Sequence, residues 1–179
     1  MATKTNGDAT RRTVLAAAAA TPAGALAAAP AAGPSGETPG VEFVYEAIAD
    51  LSPALTLGQT PYGLRRQVPI LGGTFAGPRI RGTIVAGGVD WQLVRTDGFT
   101  AIEAIYTIQT HDGVLIHVRN HGVIRALNKA PPERYGRTIP EFEAPNGPYG
   151  WLNEAVFVGT LDSHPGPTPQ VKIGIFRVT

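Results

Sequence analysis

Three polar residues in the middle of this 179-residue chain have the chemistry for proton transfer: Asp90, Glu103 and Asn120. A carboxylate placed in an apolar pocket loses hydration, so its pKa rises and it becomes suited to general acid or base work. A carboxamide nearby can orient it or the substrate. Glu103 and Asn120 flank Asp112-Gly113, a pair that favours a two-residue type I′ turn. That turn sets Glu103 opposite Gly122 and Ile105 opposite Asn120, which puts Glu103 and Asn120 on one face, one pair apart. Glu103 is therefore expected to move the proton, with Asp90 and Asn120 orienting the substrate. Trp91, Tyr106 and Trp151 are expected to shape an apolar pocket, with Asn153 beside it. Arg65 and Arg79 are expected to bind the substrate.

Other chemistries find little support. The absence of cysteine excludes disulfides, thiolate metal sites and a cysteine nucleophile. Ser35, Ser52 and Ser163 lie in no nucleophile elbow. His117 and His121 would share a strand face, but four residues of strand span about 13 Å, too far for one metal. His111 belongs to a turn and His164 to a Pro-Gly loop, so no metal site is expected. No phosphate loop, dinucleotide fingerprint or HExxH helix is present, so no cofactor is expected. Charge is balanced at 15 basic and 14 acidic residues. Without residues 1–29, which hold Lys4, Arg11, Arg12 and Asp8, the balance is 12 to 13. That leaves no basic surplus for nucleic acid.

The elements that must position these residues are short β-rich runs. Gly, Pro, Asp and Asn separate them at the spacing of an antiparallel sheet or barrel. Strands are expected at Glu42–Leu51, Arg79–Val85, Trp91–Arg95, Thr100–His111, Val114–His121, Glu154–Leu161 and Gln170–Val178. Residues 129–150, rich in Pro and Gly, are expected to form an ordered loop across one barrel end. Neither face of the 100–121 hairpin is cleanly polar, as in a closed barrel with a partly polar lumen.

The N-terminus reads as a targeting segment. Arg11-Arg12 precede an Ala-rich, weakly apolar run from Val14 to Ala29 that is too short for a comfortable membrane span. Small-residue cleavage sites follow at Ala25–Ala27 and Ala27–Ala29. The order resembles a twin-arginine export signal, implying a periplasmic or extracellular protein. Residues 30–40 then read as a flexible linker, with the domain at 41–179.

A run of motifs carries a family resemblance over residues 41–178. It begins with Gly63-Leu64-Arg65-Arg66, Val68-Pro69-Ile70 and Gly72–Pro78. Gly82-Thr83-Ile84, Gly87–Trp91 and Ile105-Tyr106-Thr107 follow, then Thr110–Gly113, Asn120-His121-Gly122 and Tyr149–Asn153. Together these resemble domain-of-unknown-function family 3237. The resemblance implies a single closed, calycin-like, all-β antiparallel barrel, similar also to allene oxide cyclase, with a pocket at its open end. It further implies cofactor-free lyase steps on aromatic compounds, decarboxylation among them. One position departs from the family's Asp-Ala-Arg-Tyr. Here Glu103-Ala104-Ile105-Tyr106 keeps a carboxylate but puts Ile105 in place of the arginine, which weakens a decarboxylase reading.

The combined expectation is an exported, cofactor-independent lyase or isomerase acting on a small aromatic or apolar molecule. A non-catalytic binding protein of the same barrel class is the alternative, and a structural role at the cell envelope is a third. The expected partner is a small molecule, not nucleic acid, with no stable membrane span and with a homo-oligomer open.

Overall fold

In the computed structural model, residues 36–127, 129–130, 132–164 and 168–179 are described. The expected export signal and residues 30–35 of the linker lie outside them. Thr38–Thr179 form one compact unit. Its strands are β1 (Val41–Leu51), β2 (Leu55–Thr60), β3 (Gly63–Ala76), β4 (Arg81–Ile84) and β5 (Gly88–Val94). They continue with β6 (Thr100–Thr110), β7 (Leu115–Arg125), β8 (Tyr135–Glu143), β9 (Phe157–His164) and β10 (Gln170–Val178). A single 3₁₀ turn, Gly150–Glu154, is the one helical element among the described residues.

The strands close an antiparallel barrel. Neighbours run β1-β10-β9-β8-β7-β6, then through β4 and β5 to β3, which pairs back onto β1. β4 and β5 act as one stave interrupted at Val85–Gly87, because both lie between β3 and β6. Eight staves result. β2 hangs as a hairpin arm on β3. Closure brings backbones very close at Gly73, where a Cβ would lie 2.1 Å from the Ile48 carbonyl oxygen.

Alternation along each strand fills the lumen. β8 shows it most cleanly, burying Gly136, Thr138, Pro140 and Phe142 while exposing the residues between. Near the end where β1 begins, Phe142 meets Tyr45 and Phe157 edge to face, and Tyr45 packs at a tilt on Phe75. The 3₁₀ turn seals that end with buried Leu152. Burial of some twenty apolar side chains supplies the driving force, at about 25 cal/mol per Å² of apolar surface.

Three expectations are corrected. The stretch 129–150 contains strand β8 rather than a loop. Pro140 is tolerated there because it lies beyond the last β8–β9 pair, Thr138 with Gly159, where one side of the strand is free. β2 and β3 were not expected as strands at all. Finally, the β6–β7 turn has three residues instead of two. Thr110 N donates to Val114 O, Gly113 N donates to Thr110 O, and Gly113 has φ +89°. This is a type I turn followed by a left-handed glycine. The register slips by one, so Glu103 faces His121 and Ala104 faces Asn120. A one-residue slip moves every side chain of β7 to the other face relative to β6.

Candidate active site

The slip decides which polar groups enter the lumen. Even-numbered residues of β5, β6 and β7 point inward, so Asp90, Ala104 and Asn120 form one row across three strands. Strands lie about 4.8 Å apart, so Asp90 and Asn120 stand two steps, about 10 Å, from each other along the sheet. Ala104 between them carries only a methyl group. The space above it is a cavity of about 40 Å³, walled by Ile70, Ile84, Ile102, Leu161 and Ile173 and also touched by Tyr106.

The polar groups around this cavity are only partly satisfied. Gln92 Nε2 donates to Asp90 Oδ2 at 2.6 Å, and Arg66 Nη2 donates to Gln92 Oε1 at 2.7 Å. Asp90 Oδ1 and Asn120 Oδ1 are buried without a hydrogen-bond partner among the described residues. Such groups are uncommon, and each calls for an explanation. Desolvation pushes the Asp90 carboxyl above its ordinary value. The Gln92 hydrogen bond, a backbone bond at Glu103 and the Arg66 charge only partly oppose it. Burial likewise raises Tyr106 and Tyr45 well above the ordinary phenol range, so both stay protonated. The arrangement is a desolvated carboxyl with a raised pKa facing an amide across an apolar gap. It can donate a proton and orient a small polar group at the same time.

The nine residues singled out in the sequence fall into three places. Asp90, Asn120 and Tyr106 share the lumen. Arg65, Trp91 and Glu103 line the outer wall. Arg79, Trp151 and Asn153 lie at the sealed end. The expectation for Glu103 is therefore overturned. Its side chain is 40% exposed and ion-paired with Arg119 at 2.6 Å, a partner that also approaches Glu141 at 3.6 Å. Water reaches it, so the pocket desolvation expected there is missing. Ile105 points outward on the same face at 39% exposure. An arginine at that position would stand outside the lumen too, so its replacement removes no lumen anchor.

At the sealed end, the Arg79 guanidinium lies 4.4 Å from the Trp151 ring centroid, and Trp151 packs on Phe157. Asn153 Oδ1 accepts from Ala144 N, and its Nδ2 donates to Ala144 O, both at 2.8 Å. Tyr149 OH donates to Asp112 Oδ1, tying this cap to the β6–β7 turn. These residues hold the closure together and do not touch the cavity. Arg66 and Gln92 complete the polar relay that sequence reasoning did not assemble. Alternation supplies the signal that finds Gln92, since it stands two residues from Asp90 on the same strand face. Among the described residues, no three His, Asp or Glu side chains gather closely enough to hold a metal ion.

Comparisons with known proteins extend this picture. A protein of Rhodopseudomonas palustris from the group named UPF0311 is 33% identical over 140 residues, covering 71% of this chain and 92% of its own. A solved structure described as a beta-barrel like protein from Acinetobacter baumannii has a TM-score of 0.72 and 30% identity. It covers 80% of this chain and 98% of its own. The hydroalkoxylation enzyme phnH of Penicillium herquei is 30% identical over 122 residues, which is 68% of this chain and 74% of that protein. The family model that matches spans residues 39–178, nearly the whole barrel unit. On that match, the chain belongs to the family described as protein of unknown function DUF3237.

Proposed function

We propose that this protein is a cofactor-independent enzyme that transfers a proton to a small apolar or aromatic molecule whose reacting end enters the barrel lumen. The observation that carries this reading is the Asp90 Oδ1, buried and unpartnered, facing Asn120 Oδ1 across Ala104. The relative phnH is named for hydroalkoxylation, the addition of an O–H group across a carbon–carbon double bond. That reaction suits the site, since it changes no oxidation state overall and loses no atom. One C–O and one C–H bond form while an O–H bond and a π bond break. Asp90 gives its proton to one alkene carbon. The substrate hydroxyl attacks the other carbon, and its proton restores the acid. Asn120 and Tyr106 orient the oxygen. Run within one molecule the step is an isomerisation, and run in reverse it is an elimination.

The cavity limits what enters. About 40 Å³ admits a few heavy atoms, so only the reacting end of the substrate fits. A carrier that encloses whole ligands in the lumen would need several hundred Å³ there, which disfavours a carrier role for the lumen. The test uses 2-allylphenol and related unsaturated phenols, followed for their cyclic ether isomers. Asp90→Asn is expected to lower turnover by roughly 10²–10⁴ with substrate binding retained. Glu103→Gln is expected to leave turnover within about twofold. Full activity in Asp90→Asn would overturn the assignment.

We also propose that residues 1–29 direct export, on the order of Arg11-Arg12, Ala-rich run and small-residue sites. Replacing both arginines by lysine is expected to leave precursor in the cytoplasm, as read by cell fractionation. Unchanged export would exclude the twin-arginine route.

A further inference from the structure

Outside the barrel wall lies a much larger hollow, a cleft of about 910 Å³ across β5 to β9. The outer face of a barrel is convex, so a hollow there needs a pattern of side-chain sizes. Ladder pairs supply it: Leu93 pairs with Ala101, Ala101 with Val123, and Val123 with Arg137. Ala101, Gly122 and Val123 thus form a low floor over β6 and β7. Trp91 and Leu93 make one wall, while Ile139 and Val158 make the other. Trp91 is 37% exposed and Ile139 is 48% exposed, so the walls present apolar surface to water.

The charges facing this cleft are unequal. Arg119 is taken up by Glu103 and Glu141. Arg65 and Arg137 have no carboxylate partner among the described residues, and His121 has a buried Nδ1 without one. The unneutralised charge is therefore positive. Arg65 pairs across the ladder with Leu93, on the same wall as Trp91. A second copy of the chain packed here by two-fold symmetry would set this positive field against itself. An apolar body with an acidic group satisfies both wall and charge.

We propose that this cleft is a binding site for a flat aromatic carboxylate, with its ring on Trp91 and the small-residue floor and its acid on the Arg65 guanidinium. Its volume falls in the range of small-molecule sites. Aromatic stacking and a charge-assisted bond to a planar guanidinium supply the recognition. The site is separate from the lumen, so it stands whether or not Asp90 is catalytic.

Trp91 and Trp151 are the chain's two tryptophans, and Trp151 lies at the sealed end. In the full-length Trp151→Phe protein, fluorescence therefore reports Trp91 alone. Titration with 2-naphthoate is expected to quench it. Arg65→Gln is expected to weaken the apparent Kd about tenfold, close to the value for methyl 2-naphthoate on the unaltered arginine. Asp90→Asn is expected to leave the Kd unchanged. Calorimetric titration of the protein with both tryptophans gives the same comparisons if Trp151→Phe does not fold. Absence of binding, equal binding of acid and ester, or loss of binding in Asp90→Asn would each overturn the proposal. So would a dimer in sedimentation that Trp91→Asp dissociates, since a second copy would then cover the cleft.

Discussion

Asp90 carries its buried position as a dependence of stability on pH. Desolvation raises its folded-state pKa above the ordinary 3.8. Between 3.8 and the raised value, the folded protein keeps a proton that the unfolded chain has released, so stability falls as pH rises through that window. Below it, both states are protonated and the penalty is absent. Asparagine cannot ionise, so the Tm of Asp90→Asn relative to the native protein is expected to climb from pH 3 toward neutrality, as measured by calorimetry. A constant difference across that range would mean that the carboxyl is not desolvated. At this scale the sequence was half legible. Asp90 and Tyr106 reach one face by alternation along paired strands, but Asn120 joins them only in the observed register, since a two-residue turn would put it on the face opposite Tyr106. Glu103 was misplaced because Asp112-Gly113 was read as a two-residue turn. Thr110 pairs with Val114 instead, and a one-residue error in a turn reverses the face of the whole following strand.

The β6–β7 hairpin is where an element decides the site. Gly113 sits at φ +89°, a region that an L side chain enters at a cost of about 1–2 kcal/mol, although a Cβ there would meet nothing within 4 Å. Gly113→Ala is expected to cost about that much in urea unfolding, with the fold kept. A neutral result would show that the turn relaxes to another type, and with it the register that faces Asn120 inward. Asp112 supports the same turn. It accepts from Thr110 Oγ1 at 2.5 Å and from Tyr149 OH at 2.8 Å, and these bonds hold its carboxyl below the ordinary range. Most strands were legible from composition, because Val, Ile and Thr runs end at Gly, Pro or Asp. β8 was not, since Gly136 and Pro140 look like loop residues. Gly136 admits the close approach of the Leu161 backbone, where a Cβ would lie 2.5 Å from the carbonyl oxygen, and Pro140 sits at a free ladder edge, neither of which is local to the sequence. β3 was hidden for the same reason. Its Gly72 and Gly73 are spaces for β1 and β4 rather than turns.

At the scale of the molecule, closure of the barrel makes both candidate sites. Pairing of β3 with β1 closes the lumen that Asp90 faces, and the wall between lumen and outer cleft is a single strand layer. Asp90 therefore faces the lumen while its neighbour Trp91 faces the cleft. The all-β class was legible in the spacing of strands, but this division of labour was not. It depends on long-range pairings such as Ala47 with Phe75 and Val68 with Asp90, which local patterns do not encode. The Asp90 carboxyl is the most direct reporter of the closed barrel. The decisive measurement is a pH titration of the Asp90 side-chain carboxyl by carbon-13 NMR, assigned by its loss in Asp90→Asn. This signal is expected to titrate distinctly above those of Asp97 and Asp112, whose hydrogen bonds hold them below the ordinary value. An Asp90 that titrates with them or below them would contradict a desolvated acid in a closed lumen, and with it the proposed proton transfer.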